Sequence, residues 1–382
     1  RYRERENHIS SDSWPIYISL QKDGILFKMR RTQDLPDKES ATMFFQDCKL
    51  ARQAQITGIS HSIKEILPPD LLDLTQLQKE ANIRYGYTAS EVYDIAQSLY
   101  EKKLISYPRT SSRYLTEDVF DSLSPIMARL LSWELFPAAK GTGGIDISSL
   151  SRHVISAEKA NVHHAIIITG IRPGNLSEKE MQVYRLVAGR MLEVFMAPCR
   201  IETTNVEAVC AAQHFKAEQT RIIEAGWHDV FMHSDMVPKS GYSVNELPEV
   251  KKGDNLNVCG CNMVHKKELP VDPFTDAELV EYMELNGLGT VSSRTNIIRT
   301  LVNRKYIRYS GKYIVPTPKG IFTYETIRGK KIADTSLTAD WEKQLAGLES
   351  GMITGQDFLN RIRTLAKEMT DDIFNTYSTK EE

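Results

Sequence analysis

Residues 104–115, LISYPRTSSRYL, hold the side chains with the clearest chemical potential. Tyr107 directly precedes Pro108, and proline disfavours helical backbone at the residue before it, so we expect the phenol on a stiffened, extended segment. Arg109 follows two positions later, on the same side of an extended chain. A guanidinium binds phosphate oxygens as a fork, and its charge favours the phenolate of a group whose free pKa is about 10. The pair suits attack on a phosphodiester, although an isolated Tyr-Pro-Arg is more often a core tyrosine before a turn.

Thr110, Arg113 and Tyr114 complete this first group of candidate residues. Attack by a tyrosine on a DNA phosphodiester would leave a phosphotyrosyl bond and a free sugar hydroxyl. Because one ester replaces another, the backbone could be resealed without ATP. Arginines would stabilise the charge that develops on the non-bridging oxygens.

A histidine pair is the second candidate. His163 and His164 precede a run of apolar residues at 165–168, so one imidazole could contact phosphate while the other packs in the core. Purely structural histidines are the alternative. Zinc binding is not indicated, because no further ligands lie at suitable spacing.

The third candidate is the loop at 287–294, GLGTVSSR. Backbone N–H groups and hydroxyls at a helix N-terminus form a ready phosphate site. We expect Ser292 or Ser293 to cap the helix that follows. Arg294, Asn296, Arg299 and Asn303 could face the ligand, although many winged helices only pack.

Composition limits the alternatives. The 382 residues have a net charge of −2, so nucleic-acid binding must use local basic patches. The five cysteines are odd in number and widely spread, which argues against a disulfide framework and favours the cytosol. There is no apolar run of eighteen residues, which argues against a membrane protein. The chain contains no Asp-x-Asp sequence, so it shows no obvious metal-binding cluster of its own.

The elements that must position these residues can be predicted from patterns. Asp23-Gly24 between alternating apolar residues predicts a hairpin. Thr88 with Glu91 has the form of a capping box for a helix that ends near Lys103 and delivers Tyr107. Further helical patterns cover 38–54, 70–82, 116–135, 177–196, 275–286 and 337–374, and a Gly-rich stretch at 141–144 is expected to be a plain loop.

These patterns predict an α+β multidomain protein. Two β-rich segments, 1–67 and 199–268, flank a helical segment at 68–198, which indicates a β domain with a helical, tyrosine-bearing domain inserted into it. Residues 269–382 are helical. A hairpin expected to turn at Ser310-Gly311 gives part of this segment the form of a winged helix.

The order of these landmarks resembles that of the type IA DNA topoisomerases, closest to the topoisomerase III branch. The shared landmarks are PPDLLDLTQLQKEAN at 68–82, GYTA at 86–89, SYPRT at 106–110, HHAII at 163–167 and GLGT at 287–290. The resemblance covers residues 1 to about 375. It implies a toroid in which 1–67 and 199–268 form the β hinge of a gate, and 269–382 forms part of the DNA-binding base.

The resemblance also implies a reaction and roles in it. Such enzymes cut one DNA strand, hold its 5′ phosphate on a tyrosine, pass another strand through the gap and reseal it. Tyr107 matches the nucleophile, Arg109 the arginine at the scissile phosphate, and His163 a histidine assigned to DNA contact. Ser292 and Ser293 match a loop along the path of single-stranded DNA. The expected DNA contacts are His163, Arg113, Thr110, Thr290, Ser292, Ser293 and Arg294.

Several features depart from the family pattern. Ser111 replaces a frequent aspartate, Ile168 and Val291 replace prolines, and the N-terminal Mg²⁺-binding domain and the C-terminal zinc ribbons have no counterpart. We therefore expect a fragment that binds single-stranded DNA weakly and does not relax supercoils alone. Mg²⁺ would be bound by the missing domain. The implied partners are single-stranded and underwound duplex DNA, with a helicase left open, at the nucleoid in the cytoplasm.

Two other functions remain possible from the residues alone. A non-enzymatic winged-helix module could bind duplex DNA, with Tyr107 as a structural residue. A tyrosine recombinase also uses tyrosine, arginines and histidine, but its tyrosine follows the other elements. Here Tyr107 precedes His163 by 56 positions, which argues against a recombinase.

Overall fold

The fold combines a β barrel, a helical body and a mainly helical C-terminal part. A computed structural model describes residues 1–133, 135–136, 150–160, 163–231, 243–244 and 246–378. Its helices are α1 (Tyr2–Glu6), α2 (Lys38–Leu50), α3 (Leu74–Tyr85), α4 (Ala89–Glu101), α5 (Glu117–Asp121), α6 (Leu123–Ser132), α7 (Ala157–Ala160), α8 (Glu178–Glu193), α9 (Asp276–Leu285), α10 (Val291–Asn303), α11 (Pro318–Ile327), α12 (Thr335–Glu349) and α13 (Gly355–Ser378). Its strands are β1 (Asp12–Ser13), β2 (Ile16–Lys22), β3 (Ile25–Arg31), β4 (Gln53–Ile66), β5 (Cys199–Cys210), β6 (Gln213–Glu224), β7 (Asn255–Met263), β8 (Lys266–Lys267), β9 (Ile307–Ser310) and β10 (Tyr313–Pro316).

The barrel joins strands from both β-rich segments of the sequence. Its six strands close in the order β2-β3-β6-β5-β4-β7, and every neighbouring pair is antiparallel. The predicted hairpin at Asp23-Gly24 is confirmed, with both residues at positive φ, as a tight two-residue turn requires. Alternate residues of β2, namely Ile16, Ile18 and Leu20, are fully buried in the barrel core.

The helical body has its own hydrophobic core. Its buried residues run along the chain from Leu71 to Val230 and include residues of α3, α4 and α8. The long strands β4 and β5 pair from Gln55 and Val209 in the barrel to Ile66 and Cys199 at this core. The helical body is therefore connected to the barrel by a continuous β ribbon. The boundaries of the four sequence segments stay a prediction.

The helix that leads to Tyr107 begins and ends as the sequence predicts. Thr88 and Glu91 form the capping box of α4. After α4, Lys103 adopts a left-handed conformation (φ 58°), and the N–H of Leu104 donates to the carbonyl of Leu99 at 2.9 Å. This turn directs Leu104 and Ile105 into the core of the helical body. Ser177 and Glu180 form a second capping box, at the start of α8, where the helical pattern over 177–196 begins.

Three predictions need correction or lie outside the described residues. The helix predicted over 116–135 is broken at Ser122 into α5 and α6, with Pro125 in the first turn of α6, where a proline N–H is not needed. Thr290, not Ser292 or Ser293, is the N-cap of α10, because its backbone is still extended (φ −87°, ψ 168°) while both serines are already helical. The Gly-rich stretch at 141–144 lies outside the described residues.

The C-terminal part contains the predicted helix, loop, helix and hairpin. Thr275 and Glu278 form the capping box of α9. The β9–β10 hairpin pairs Ser310 with Tyr313, so the turn lies at Gly311 and Lys312, one residue later than the predicted Ser310-Gly311. Its buried residue Ile314 packs with α9 and α10 in a third, smaller core.

Candidate active site

Ser106 fixes the backbone immediately before Tyr107. Its N–H donates to the carbonyl of Ile167 at 2.8 Å, and its hydroxyl accepts from the N–H of Ile167 at 3.0 Å. The same hydroxyl donates to the carbonyl of Ala165 at 3.1 Å. An antiparallel bridge between Ile105 and Ile168 extends this pairing. The segment before the tyrosine is therefore one strand of a short pair with the apolar run after the two histidines.

Tyr107 lies between a second tyrosine and a histidine. The Tyr107 and Tyr100 ring centroids are 5.4 Å apart in an edge-to-face arrangement. The centroid of the His163 imidazole is 4.6 Å from that of Tyr107, with the planes tilted by 50°. Tyr107 is partly exposed and His163 is exposed. Such aromatic pairs restrict the orientation of the Tyr107 ring. The structure thus brings together two of the predicted site residues that are far apart in sequence.

Arg109 lies against α4 and does not hydrogen-bond to the phenol within the described residues. Its Nη2 donates to Oε1 of Gln97 at 3.2 Å, and its guanidinium carbon lies 5.1 Å from the centroid of the Tyr93 ring. Its Nε is buried and has no hydrogen-bond partner among the described residues. The direct guanidinium–phenol pair expected from the sequence is therefore absent here, because the α4 side chains hold the guanidinium. The Nε–H donor of Arg109, within the tyrosine segment, therefore has no acceptor among the described residues.

One face of α4 supports both residues, and the sequence analysis did not identify it. Tyr93, Gln97 and Tyr100 recur at i, i+4 and i+7, so they follow one another along the same face. Tyr93 and Gln97 contact Arg109, and Tyr100 contacts Tyr107. The helical spacing of these residues was visible in the sequence. It was overlooked because the apolar residues between them define the more obvious face.

Thr110 holds the site together and is not open to DNA in this structure. It is 3% exposed, and its hydroxyl donates to the carbonyl of His163 at 3.0 Å. The same oxygen accepts from the N–H of Ser112, and the Thr110 carbonyl accepts from the N–H of Leu74 at 3.1 Å. Because this hydroxyl is buried and already bonded, it is placed to position His163, and the DNA contact at Thr110 stays a prediction.

Arg113 forms an ion pair with a buried carboxylate. Its Nε donates to Oδ2 of Asp73 at 2.7 Å, and the Asp73 side chain is 2% exposed. The other Asp73 oxygen accepts from the N–H of Gln76 and caps α3. Burial would lower the pKa of Arg113, but the charge and hydrogen bond of Asp73 outweigh burial and raise it. About a third of the arginine remains exposed, so a DNA contact at Arg113 would be shared with this ion pair.

The loop at 287–294 presents hydroxyls, but its arginine points inward. Thr290 is exposed, its N–H donates to the Ser293 hydroxyl at 2.8 Å, and its hydroxyl lies 3.2 Å from that of Ser292. Arg294 is 8% exposed. Its Nη1 lies 3.4 Å from the Thr75 hydroxyl and 3.5 Å from a Glu284 oxygen. This side chain therefore packs against α3, and the DNA contact at Arg294 stays a prediction.

The start of α3 connects the two candidate regions. Asp73 bonds to Arg113 of the tyrosine segment, and two residues later Thr75 bonds to Arg294 of the hydroxyl loop. Further along α3, the buried amide of Gln78 donates to the Thr295 hydroxyl at 2.9 Å. The sequence analysis did not identify this connection, because no local pattern relates α3 to α10.

The described residues include no group of three or more His, Cys, Asp or Glu side chains placed to hold a metal ion. The Mg²⁺ implied by the family resemblance therefore finds no ligand set among them. Of the helices in the described part of the chain, none is long and apolar enough to cross a membrane.

Comparison with known proteins agrees with this geometry. A family model described as DNA topoisomerase matches residues 1–360. The chain is 31% identical over 346 residues to DNA topoisomerase 3 of Bacillus licheniformis, covering 84% of this chain and 47% of the relative. It is 29% identical over 385 residues to DNA topoisomerase 1 of Methanocaldococcus jannaschii, covering 100% of this chain and 48% of the relative. The chain thus spans about half the length of these curated relatives.

A solved structure shares the fold. Full-length topoisomerase I of Thermotoga maritima aligns with a TM-score of 0.74 at 22% identity, covering 97% of this chain and 60% of that one. The predicted resemblance to the type IA enzymes and their topoisomerase III branch is confirmed by these matches. The winged-helix module and the recombinase are not favoured by them. The chain belongs to the DNA topoisomerase family.

Proposed function

We propose that this chain supplies the tyrosine nucleophile and DNA-holding surfaces of a type IA topoisomerase. The protein would cut one DNA strand, pass another strand through the gap and reseal the cut without ATP. The observation that carries the proposal is the setting of Tyr107. Its ring is held between Tyr100 and His163, on a segment whose backbone is fixed by Ser106.

In the proposed reaction, the Tyr107 oxygen attacks the phosphorus of one phosphodiester. A bond forms between this oxygen and phosphorus, and the bond from phosphorus to the 3′ oxygen breaks. The phenol proton leaves to water, and the 3′ oxygen takes up a proton to become a hydroxyl. The 5′ phosphate stays on the tyrosine, and the reverse reaction reseals the strand.

Arg109 would stabilise the charge that develops on the phosphate in this step. Its buried Nε has no partner among the described residues, and burial strengthens an interaction between a cation and an anion. Gln97 and Tyr93 hold the guanidinium in place before the strand arrives. His163 would contact the DNA beside the cleaved bond, because its imidazole is exposed next to the phenol.

The other regions would hold and move the DNA. The β-rich segments 1–67 and 199–268 would form the hinge of the gate, and 68–198 its tyrosine-bearing part. Residues 269–382 would bind single-stranded DNA along Thr290, Ser292 and Ser293. Mg²⁺, underwound duplex DNA and a partner helicase belong to the whole protein, in the cytoplasm at the nucleoid.

The test is covalent adduct formation by the whole protein that contains this chain, with Tyr107→Phe. A single-stranded oligonucleotide labelled at either end would be trapped by denaturation and resolved on a gel. We expect the adduct to disappear while oligonucleotide binding is retained. Tyr114→Phe is the matched control, because this tyrosine lies in the same segment and its hydroxyl contacts only Lys159 among the described residues.

The position of the label also shows which fragment of the cut strand is bound to the protein. The proposal requires the label downstream of the cut, on the 5′-phosphate side, to remain on the protein. An adduct that survives Tyr107→Phe would refute the assignment of the nucleophile. An adduct through the 3′ phosphate would instead support a recombinase-like reaction.

A further inference from the structure

Three of the five cysteines, far apart in the sequence, meet in the barrel. Cys48 lies in the last turn of α2, Cys210 ends β5, and Cys261 lies in β7. Cys48 and Cys210 are buried members of one hydrophobic core, and Cys261 packs against that core. The wide spacing of the cysteines in the sequence therefore conceals a cluster of three thiols.

The side chain of Cys261 lies directly beside α2. Its Sγ is 3.9 Å from the carbonyl oxygen of Phe45. Cys48 follows Phe45 by three positions, and residues three apart are neighbours on the same side of a helix. The thiol of Cys48 also hydrogen-bonds with those of Cys210 and Cys261, so Cys48 is the middle member of the cluster.

The three thiols differ in their access to solvent. Cys48 is 0% exposed and Cys210 is 1% exposed, whereas Cys261 is partly exposed. A small oxidant in solution therefore reaches Cys261 first. Cysteines that respond to oxidants are accessible thiols with a second, resolving cysteine beside them, and Cys261 with Cys48 has this arrangement.

The same contacts separate the three thiols by acidity. The hydrogen bond with Cys48 lowers the pKa of Cys261 and outweighs burial, which would raise it. The hydrogen bond with Cys48 and burial raise the pKa of Cys210. The hydrogen bond with Cys210 would lower the pKa of Cys48, but the one with Cys261, together with burial, raises it to about 11. The thiolate, which is the reactive form of cysteine, is therefore favoured at Cys261.

Cys259 lies in the same strand but outside the cluster. The register of β7 against β2 shifts between Ser19 and Leu20, and Cys259 falls in this bulge. Its Sγ lies 3.7 Å from the carbonyl oxygen of Asn257 and 3.9 Å from Oε1 of Gln21. These contacts are on β7 and β2 and not on α2. Because Cys259 is the more exposed thiol, it is a matched control for accessibility alone.

We propose that Cys261 and Cys48 form an oxidation site for hydrogen peroxide, and that the product is a disulfide between β7 and α2. This modification site is separate from Tyr107, so it goes beyond the strand cleavage proposed above. Disulfides in cytosolic proteins are mostly transient and redox-sensing. A dithiol reductant would therefore be expected to return the site to two thiols.

The reaction has two steps. The Cys261 thiolate attacks one oxygen of the peroxide, the O–O bond breaks, and the departing hydroxide takes up a proton to become water. The sulfur of Cys48 then attacks the resulting sulfenic acid, and the S–O bond breaks. The hydroxide released takes the proton of the Cys48 thiol and becomes a second water. The two sulfurs together lose two electrons, and the peroxide gains them.

The disulfide would also constrain the fold. β4, the helical body and β5 all lie between Cys48 and Cys261 in the chain, so the bond closes a loop that contains them. Closing a long loop stabilises the folded state mainly by restricting the unfolded chain. Peroxide treatment should therefore raise the midpoint of thermal unfolding, and it should not do so in Cys261→Ser.

The test treats the chain with hydrogen peroxide, blocks the remaining thiols with N-ethylmaleimide and analyses tryptic peptides by mass spectrometry. We expect a linked pair of peptides that contain Cys48 and Cys261, and the blocked cysteines should fall from five to three. Dithiothreitol should restore all five. This peptide map of the parent chain needs no substitution, so it stays decisive where a variant disturbs the core.

Cysteine variants assign the two roles. Cys261→Ser removes the attacking thiol and should slow disulfide formation at least about tenfold. Cys48→Ala removes the resolving thiol, so sulfenic acid should accumulate at Cys261, where dimedone traps it. Cys259→Ser should leave the rate and the linked pair unchanged. Circular dichroism of the reduced variants checks that they are folded.

Three outcomes would overturn the proposal. Five blocked cysteines after peroxide treatment of the parent would show that no disulfide forms. Linkage of Cys48 to Cys210 would show that the accessible thiol is not the one that reacts. Loss of the linked pair in Cys259→Ser would place the attacking thiol in the bulge. None of these measurements uses DNA, so they are independent of strand cleavage through Tyr107.

Discussion

The tyrosine segment and the hydroxyl loop contain similar residue types but use them differently. In the tyrosine segment the hydroxyls of Ser106 and Thr110 are bonded to buried backbone, whereas Tyr107 is partly exposed and His163 is exposed. In the loop the hydroxyl of Thr290 is exposed, and Arg294 is turned inward. Residue type therefore locates a phosphate site, but burial decides which side chains are available to it.

Each region has an arginine bonded to the start of α3. Replacing these two arginines in turn should show which contact contributes more to stability. Arg113→Ala leaves the buried Asp73 carboxylate without its cation, which should lower the free energy of unfolding by about 3 kcal/mol. Arg294→Ala loses two longer contacts, at 3.4 and 3.5 Å, and should cost about 1–2 kcal/mol. Urea unfolding at neutral pH measures both.

A double variant distinguishes an unpaired charge from lost packing. Asp73→Asn keeps an acceptor for the N–H of Gln76 at the N-cap of α3, where Asn and Asp are about equally favourable. Adding it to Arg113→Ala should restore roughly half of the lost stability. If Arg113→Ala costs no more than Arg294→Ala, the Asp73 pair is not the stronger of the two anchors.

Sequence patterns predicted the helices and turns around the site better than the side-chain contacts within it. The capping box at Thr88 and the turn at Asp23 depend on residues within four positions, so both could be predicted correctly. The inward turn of Arg294 and the bond from Thr110 to His163 could not. They depend on how segments 53 or more positions apart pack, which no local pattern records.

Thr110 offers a direct test of positioning against DNA contact. Thr110→Val keeps the shape but removes the donor to the His163 carbonyl, which should destabilise the protein by about 1–2 kcal/mol. It should also reduce the rate of adduct formation by the whole protein about tenfold, because His163 is no longer fixed beside Tyr107. Thr110→Ser keeps the hydroxyl and should recover most of that rate.

The measurement that separates the two roles is oligonucleotide affinity. A positioning residue changes the cleavage rate of bound DNA and leaves the dissociation constant nearly unchanged. If Thr110→Val weakens binding as much as it slows cleavage, Thr110 contacts the strand and its buried hydroxyl must become exposed in the complex.

Lowering the pH should weaken the support of the tyrosine segment, because Glu180 becomes protonated. Hydrogen bonds from Lys102, from the N–H of Ser177 and from Ser98 lower the pKa of this carboxyl from 4.5 to about 2. Because the folded pKa lies below the unfolded one, the contribution is complete above about pH 5 and is lost as the pH falls toward 2. Lys102 and Ser98 lie at the end of α4, immediately before the tyrosine segment, so protonation of Glu180 releases the support of that segment first.

Glu180→Gln should therefore lower stability at pH 7 and flatten its decline between pH 5 and pH 2. Thermal unfolding across that range measures both effects, with Glu101→Gln, an exposed residue at the end of the same helix, as the control. The effect should be the smallest of those considered, because the ion pair with Lys102 lies near the surface and is weakened by solvent and salt. A Glu180→Gln protein with the same acid dependence as the parent would show that the ionised Glu180 carboxylate does not contribute to holding the end of α4.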